Sequence, residues 1–306
     1  MTTALFRIGT RGSRLALVQA REVRDRLIAA HDLDPKSVVI STILTSGDRI
    51  RDRPLAEIGG KGLFIKEIEE ALLSRKIDLA VHSMKDMPAL LPPGLVIAGL
   101  LKREDPRDAF VSYQTDSIAS LRKGAVVGSS SVRRAAQLRA LRPDFEIVQF
   151  RGNVDTRLAK LARGEVDATI LACAGLNRLG IANEITAPIA PEIMLPAVAQ
   201  GAIGIETRAS DTHMRDLLSP INDAATERQV AAERAFLIAL DGSCRTPLAG
   251  HAVLKGLRLS FRGMALTMDG SAIFEAARRG GPAEAETMGR DAAEEVRRLA
   301  GDRLMT

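Results

Sequence analysis

Short apolar segments alternate with helical segments along the first two thirds of this 306-residue sequence. Runs rich in valine, isoleucine and leucine occur at residues 5–9, 38–44 and 77–81. Between the first two runs, residues 14–31 carry apolar side chains every three or four positions, which is the spacing of one face of a helix. Strands that alternate with helices are typical of a parallel sheet covered by helices. We therefore predict an α/β fold.

The same plan recurs after about residue 101. Residues 126–128 form a strand-like run that leads into a serine-rich turn and a helical segment, and residues 166–171 resemble residues 77–81. We therefore predict two similar α/β lobes. Prolines within residues 188–196 indicate that the chain then crosses back to the first lobe.

A third section of the sequence follows a different plan. It has a long helical segment at residues 224–240, three strand-like segments within residues 251–278 and a final helical segment at residues 285–299. This order predicts a smaller C-terminal α+β domain. The predicted domains are residues 1–100 with 201–220, residues 101–200, and residues 221–306.

The composition argues against several classes of protein. The sequence has 43 Lys and Arg against 38 Asp and Glu, no Trp and one Tyr, and it lacks the basic stripe and stacking aromatics of nucleic-acid-binding proteins. The longest apolar run, near residues 95–101, is too short to span a membrane, and the N-terminal residues do not resemble a signal peptide. Two cysteines are too few for a disulfide framework. We expect a cytoplasmic protein that binds neither nucleic acid nor membrane.

Polar and basic residues gather where the predicted strands end. The carboxyl ends of parallel strands meet at one sheet edge, so we expect a ligand in the cleft between the two lobes. Guanidinium groups bind carboxylate and phosphate oxygens in pairs, which predicts a ligand with several negative groups. Any one of these arginines alone would be read as a solvated surface charge. The residues at these positions are Arg11, Ser13, Lys85, Asp86, Ser131, Arg133, Arg134, Arg151 and Arg157.

The two cysteines have different surroundings. Cys173 lies in an apolar segment and is expected to be buried and inert, and His82 is expected to be a hydrogen-bonded core residue at a strand end. Cys244 lies in a turn beside Arg245, where exposure and a positive charge favour the thiolate. Local sequence leaves open whether this thiol is functional. The histidines and cysteines lack metal-ligand spacing, so we predict no metal site, and the glycine-rich residues 59–62 fit neither common nucleotide-binding pattern.

Six longer motifs follow one another along nearly the whole chain. They are residues 80–88 (AVHSMKDMP), 103–108 (REDPRD), 128–134 (GSSSVRR), 151–158 (RGNVDTRL), 195–201 (LPAVAQG) and 233–244 (ERAFLIALDGSC). In sequence and order they resemble the porphobilinogen deaminase (hydroxymethylbilane synthase) family, bacterial type. Ser243 and Glu57 differ from the residues that many or some relatives carry there, and residues beyond about 256 are less distinctive.

This resemblance implies a fold, a cofactor and an activity. It implies two lobes like type II periplasmic binding proteins and a third domain that carries a covalent dipyrromethane cofactor. It also implies a transferase that condenses four porphobilinogen molecules head to tail, releases four ammonia molecules and then frees hydroxymethylbilane by hydrolysis, for tetrapyrrole (haem) biosynthesis. The implied partner is the small-molecule substrate porphobilinogen, and we expect the protein to be a monomer.

The resemblance also implies roles for individual residues. Cys244 matches the cysteine that holds the cofactor through a thioether, and Asp86 matches the catalytic carboxylate. Residues around the cofactor are matched by Lys85, Ser131, Arg133 and Arg134. Residues that bind the carboxylates of the substrate and the growing chain are matched by Arg11, Ser13, Arg151, Arg157 and Arg178. These roles agree with the expected basic cleft, because each porphobilinogen unit carries an acetate and a propionate.

Two other functions are compatible with parts of the sequence. A two-lobed cytoplasmic anion-binding protein without catalysis would explain the sheets and the arginines, but it would need neither Cys244 nor a carboxylate beside Lys85. An acyltransferase with Cys244 as nucleophile would need an activating histidine; His251 is near in sequence, and no third group is evident. The intact mass of the purified protein separates these functions, because a dipyrrole-sized adduct favours the deaminase.

Overall fold

The computed structural model describes residues 5–49, 65–242 and 246–305. The chain divides into two units, one formed by Met1–Glu104 with Ala202–Glu227 and the other by Asp105–Gly201 with Arg228–Thr306. The boundaries of the three domains expected from the sequence stay a prediction. Among the described residues, no helix is both long enough and apolar enough to cross a membrane.

The first unit begins with a strand–helix–strand arrangement. Ser13 caps the first helix, since its Oγ accepts a hydrogen bond from Ala16 N–H at 3.3 Å, and Asp32 ends it in a left-handed conformation with φ of 49°. Before the chain leaves this unit, the elements are β1 (Phe6–Arg11), α1 (Arg14–His31), β2 (Val38–Ile43), α2 (Ser46–Arg49), α3 (Lys66–Leu73), β3 (Leu79–Ser83) and β4 (Leu95–Leu100).

The second unit repeats this plan before the chain returns. Its first elements are β5 (Asp108–Val111), β6 (Val126–Gly128), α4 (Val132–Leu141), β7 (Glu146–Val148), α5 (Val154–Ala162), β8 (Ala168–Ala172), α6 (Cys173–Arg178) and β9 (Ala187–Ile189). The chain then re-enters the first unit with β10 (Ile203–Arg208) and α7 (Thr212–Leu218). The crossing predicted from the prolines is thus confirmed.

The two five-stranded sheets have the same topology. The first has the order β2-β1-β3-β10-β4 and the second the order β7-β6-β8-β5-β9. In each sheet the first three strands are parallel, and the fourth runs antiparallel to the third. The sequence-based prediction of two similar α/β lobes is confirmed.

The last section of the chain is an antiparallel sheet with two helices. Its elements are α8 (Ala224–Ala239), β11 (Leu248–Lys255), β12 (Arg258–Leu266), β13 (Ile273–Gly280) and α9 (Ala285–Ala300). Helix α9 buries a stripe of alanines and Val296 against a core that contains Phe236 and Phe261, whose ring centroids lie 5.4 Å apart. The predicted α+β section is therefore confirmed.

This small sheet packs on α4 within the second unit. Ala136 of α4 shares a buried cluster with Leu195, Ala249 and Met264, and the Arg139 guanidinium donates to the Met268 carbonyl oxygen at 2.7 Å. Helix α4, which carries two of the candidate residues and is capped by a third, is thus held between two sheets.

Candidate functional site

The candidate residues of the first unit lie at the carboxyl edge of its sheet. Strands β1 and β3 are parallel neighbours, so they end at the same edge. Arg11 is the last residue of β1, and Ser13 follows it as the N-cap of α1. Lys85 and Asp86 lie in a short 3-10 turn, Met84–Asp86, directly after β3. The fold therefore gathers the four candidates of this unit at one edge.

The turn that carries Lys85 and Asp86 is anchored from below. Met84 is buried, its N–H donates to the Ala202 carbonyl oxygen at 3.0 Å, and Gly204 leaves room for its side chain, because a Cβ at Gly204 would lie 2.0 Å from the Met84 sulfur. Lys85 and Asp86 themselves are exposed. Ser83, not Asp86, is at the N-cap position of the turn, so helix capping does not account for the Asp86 carboxylate.

In the second unit, a serine-rich turn leads from β6 into α4. Ser131 is the N-cap of α4, and its Oγ accepts a hydrogen bond from Arg134 N–H at 3.4 Å. The Ser130 hydroxyl accepts from Phe150 N–H at 3.0 Å, and Ser129 N–H donates to the Val148 carbonyl oxygen at 2.9 Å. The turn is therefore fixed to the end of β7, and it presents the start of α4 at the carboxyl edge of this sheet.

Arg133 and Arg134, in the first turn of α4, point into the protein and share one carboxylate. Both arginines are buried, and Asp108 of β5 is fully buried. The Arg133 guanidinium lies 2.8 Å from Asp108 Oδ2, and the Arg134 guanidinium lies 2.7 Å from Asp108 Oδ1. Arg133 also donates to the Leu195 carbonyl oxygen at 2.7 Å, and Arg134 to the Ile170 carbonyl oxygen at 2.9 Å.

This buried cluster carries more positive than negative charge. Burial by itself would raise the pKa of Asp108, but the charges of Arg133 and Arg134 outweigh burial and hold that pKa well below its ordinary value. Gln200 adds a further donor, with its Nε2 3.0 Å from Asp108 Oδ1. Two guanidinium groups thus face one ionised carboxylate at the start of a helix, where the helix dipole also favours an anion.

The remaining candidate arginines are distributed around the same edge. Arg151 follows β7 and is half-buried. Arg157 of α5 donates from Nε to the Gly152 carbonyl oxygen at 2.9 Å, and Arg178, the last residue of α6, donates to the Gly201 carbonyl oxygen at 2.9 Å. Since β6, β7 and β8 are parallel, the segments that carry these arginines follow the strands at a common edge.

Comparison with known proteins agrees with the order of the motifs. Residues 6–216 match the family described as "Porphobilinogen deaminase, dipyromethane cofactor binding domain", and residues 228–298 match "Porphobilinogen deaminase, C-terminal domain". The chain belongs to the porphobilinogen deaminase family.

Individual members of the porphobilinogen deaminase family are similar over the full length. A porphobilinogen deaminase of Paracoccus denitrificans is 58% identical over 292 residues, which are 95% of this chain and 93% of that relative. One of Nitrobacter hamburgensis is 52% identical over 305 residues, which are 100% of this chain and 96% of the relative.

Similar solved structures are more distant. The methionine-binding protein MetQ has a TM-score of 0.44 and 14% identity, and the match covers 71% of this chain and 87% of MetQ. A periplasmic substrate-binding protein of an ABC transporter from Coxiella burnetii has a TM-score of 0.43 and 15% identity, with 75% and 96% covered. Neither similarity bears on substrate or activity.

The cofactor named for the porphobilinogen deaminase family is dipyrromethane, and the donor set of this chain fits such a group. Acidic substituents on such a group would need cationic partners, and each unit supplies them separately, with Arg11 and Lys85 at the sheet edge of the first and Arg133 and Arg134 at the start of α4 in the second. No group of three His, Cys, Asp or Glu side chains suited to a metal ion occurs among the described residues.

The two cysteines of this family member differ in what the structure describes. Cys244, expected to hold the cofactor, lies outside the described residues, as does the glycine-rich segment 59–62. Cys173 is buried at the start of α6, just after the strand, and burial is the main cause that raises its pKa to about 12. The expectation of a buried, inert Cys173 is confirmed.

Three buried polar residues that support the site were not singled out in the sequence. Asp108, Gln200 and Glu233 all lie within the family motifs, but the motifs by themselves assign them no role. Glu233 of α8 is fully buried and accepts hydrogen bonds from Ala199 N–H and Ala252 N–H. The available signal was the position of each residue, since a polar residue in or beside an apolar segment is buried only with partners.

Proposed function

We propose that this chain condenses four porphobilinogen molecules head to tail, releases four ammonia molecules and hydrolyses the product to hydroxymethylbilane. This makes it a cytoplasmic, monomeric transferase of tetrapyrrole (haem) biosynthesis, with three domains as expected from the sequence. Membership of the family supports the reaction. The observation that carries the assignment of the site is the exposed Asp86 at the sheet edge that also holds Arg11 and Lys85.

Asp86 is the catalytic carboxylate in this proposal. Positive charge develops on the pyrrole ring of the substrate as ammonia leaves, and the pyrrole N–H carries part of it. A carboxylate within hydrogen-bond distance of that N–H stabilises the charge as it forms. Asp86 also accepts and returns protons during deamination and during loss of the ring hydrogen. An anchored turn with an exposed carboxylate supports both roles, because the backbone is fixed while the side chain is accessible.

The cationic residues bind the carboxylates of the cofactor and the substrate. When bound through Cys244, dipyrromethane supplies the pyrrole carbon to which the first substrate unit is joined. Lys85, Ser131, Arg133 and Arg134 hold the cofactor, and Arg11, Ser13, Arg151, Arg157 and Arg178 bind substrate carboxylates. For Arg133 and Arg134, the buried bonds to Asp108 make the contribution mainly one of net positive charge at the start of α4.

The first test replaces Asp86 by asparagine, which keeps the shape of the side chain and removes its charge. We expect Asp86→Asn to fold normally and to lose at least about a hundredfold in turnover, as is typical when such a group is removed. Turnover is measured by hydroxymethylbilane formation from porphobilinogen. The matched control is Asp216→Asn, which changes an exposed aspartate of α7 in the same unit. Equal turnover of both variants would remove Asp86 from the mechanism.

The second test identifies the residue that anchors the cofactor. We expect Cys244→Ser to lose both the dipyrrole-sized mass adduct and turnover, because a hydroxyl is a much weaker nucleophile than a thiolate. Cys173→Ser should keep both, since that thiol is buried and its pKa is raised to about 12. Intact mass spectrometry reads the adduct directly. An adduct retained by Cys244→Ser would show that another residue anchors the cofactor.

A further inference from the structure

A group of ionisable side chains lies behind the turn that carries Lys85 and Asp86, on the face of the sheet that α3 covers. Ala80 of β3 packs against Ile68 and Leu72 of α3, and Glu206 of β10 is paired with Ala80 in the antiparallel register. His82, two residues after Ala80, lies on the same face. The strand that leads to Asp86 therefore carries its buried histidine toward α3.

Glu206 is a fully buried carboxylate with one oxygen satisfied. Its Oε2 lies 3.0 Å from His82 Nε2, within hydrogen-bond distance. Its Oε1 is buried and has no hydrogen-bond donor among the described residues. A buried carboxylate oxygen without a hydrogen-bond donor destabilises the folded state, so a proton beside Glu206 Oε1 would stabilise it.

Glu69 of α3 supplies the matching group. Its Oε1 is also buried, and no hydrogen-bond partner for it occurs within the described parts of the chain. Burial, followed by the charge of Glu206, raises the pKa of Glu69 to about 7. A protonated Glu69 would donate a hydrogen bond to Glu206. One proton would then serve the two buried oxygens, Glu69 Oε1 and Glu206 Oε1.

Several other charged groups around this face have partners of their own. Glu67 accepts from Ser46 N–H at 2.8 Å, while Arg208 donates to the carbonyl oxygens of Leu72 and Ile77 and to the Asp211 carboxylate. The other charged side chains near this face are Arg7 and Arg11 of β1, Asp78 just before β3, and Lys66 and Glu70 of α3. The charge that raises the pKa of Glu69 is that of Glu206.

We propose that Glu69, Glu206 and His82 form a positioning group in which one proton, shared by the two glutamates, holds α3 against the strand that ends at Lys85 and Asp86. The inference rests on the function proposed above, because it assigns the group to the turn that carries the catalytic carboxylate. Loss of the proton leaves two ionised carboxylates, each with a buried oxygen that has no donor among the described residues, which weakens the support of that turn.

The sign of the pH dependence follows from the raised pKa of Glu69. The group contributes its full stability below the ordinary pKa of a glutamate, and the contribution is lost as the pH rises through about 7. The wild-type protein should therefore lose stability between about pH 4.5 and 7 relative to a variant in which position 69 does not titrate.

The experiment compares Glu69→Gln with wild type from pH 5 to pH 8. Glutamine keeps a donor for Glu206 at every pH. The Tm of the variant minus the Tm of wild type should therefore increase up to about pH 7 and stay constant above it. The ratio of variant to wild-type kcat should rise at least about twofold between pH 6 and 8, over which the protonated fraction of Glu69 changes roughly tenfold. KM should change little, because no substrate-binding residue is altered.

Two further variants separate positioning from structure alone. Glu70→Gln changes an exposed residue of the same helix, paired with Lys66 at 3.9 Å, and its Tm and kcat relative to wild type should not vary with pH. Glu69→Ala removes the donor and should lower both Tm and kcat, which Glu69→Gln restores.

Each result decides a separate question. A Tm difference between Glu69→Gln and wild type that is constant with pH would overturn the shared proton. A pH-dependent Tm difference with a constant kcat ratio would overturn the positioning role. If wild type does not turn over porphobilinogen at any pH, the proposed function fails, while the Tm measurements still decide whether the proton is shared.

Discussion

Replacing Asp108 by asparagine should destabilise the protein much more than replacing Arg133 by leucine, although the two side chains form one ion pair. When Arg133 is removed, Asp108 keeps Arg134 at 2.7 Å and Gln200 at 3.0 Å. The Leu195 carbonyl oxygen, which Arg133 also contacts, keeps a second donor from Gln137 at 3.1 Å. Arg134 and Gln200 both contact Asp108 Oδ1, so Arg133→Leu leaves the carboxylate with a cationic partner, although its Oδ2 loses the Arg133 guanidinium 2.8 Å away.

The loss of Asp108 has no such compensation. Arg133 and Arg134 are 4% and 6% exposed, so Asp108→Asn leaves two buried guanidinium groups of like charge facing a neutral amide. Breaking a buried ion pair from one side costs about 3–5 kcal/mol. Arg133→Leu forfeits hydrogen bonds of one charged group but also relieves its desolvation, and we expect a cost of about 1–2 kcal/mol.

Thermal unfolding measures the difference directly. At about 2–4 °C per kcal/mol for a unit of this size, Asp108→Asn should lower Tm by about 6–20 °C and Arg133→Leu by about 2–8 °C. Asp116→Asn, an exposed aspartate of the same unit, serves as control. The double variant Asp108→Asn with Arg133→Met should be more stable than Asp108→Asn alone. Equal costs for the two single variants, or a larger cost for Arg133→Leu, would refute this account of the cluster.

Three further outcomes are expected. Gly270→Ala should lower the free energy of unfolding more than Gly256→Ala in the same small sheet. Both glycines have positive φ, which costs about 1–3 kcal/mol in strain, but only at Gly270 would a Cβ meet backbone, 2.5 Å from the Ala136 carbonyl oxygen. Denaturant unfolding of the two variants isolates the cost of that contact. Ala199→Gly should raise the unfolding free energy by up to about 1 kcal/mol, since Ala199 has φ of 58°, and a clear loss would contradict this. Cys173 should resist a thiol reagent at pH 8 in the folded protein, because its pKa is raised to about 12; mass spectrometry before and after unfolding checks it.

The elements of the fold were predictable wherever local pattern decides structure. Residues 14–31 were predicted as a helix from apolar spacing, and α1 covers Arg14–His31. Ile65, Ile68 and Leu72 follow the glycine-rich segment at helical spacing, which predicts the inner face of a helix, and in α3 Ile68 and Leu72 are fully buried. Repeated strand–helix order predicted two lobes, and the equal strand orders of the two sheets confirm it.

The direction of the candidate side chains was not predictable in the same way. Arg133 and Arg134 were expected to face a ligand, yet they bind Asp108, which lies 25 residues before Arg133 on β5. Their direction depends on a pairing between a strand and a helix that no local pattern contains. For Glu206, the partner His82 lies 124 residues away, so sequence shows an acidic residue in an apolar strand without showing why it is tolerated.

The position of β10 has a consequence for synthesis of the chain. This strand lies between β3 and β4 in the first sheet, yet in the chain it comes after all five strands of the second five-stranded sheet. A ribosome therefore releases the edge strand β4 long before the central strand that joins it to β3. The second lobe can form its sheet in the meantime, since all its strands lie within residues 108–189. We expect a nascent chain that ends before residue 203 to protect the amides of the second sheet from hydrogen exchange, while β4 gains protection after β10 has left the ribosome.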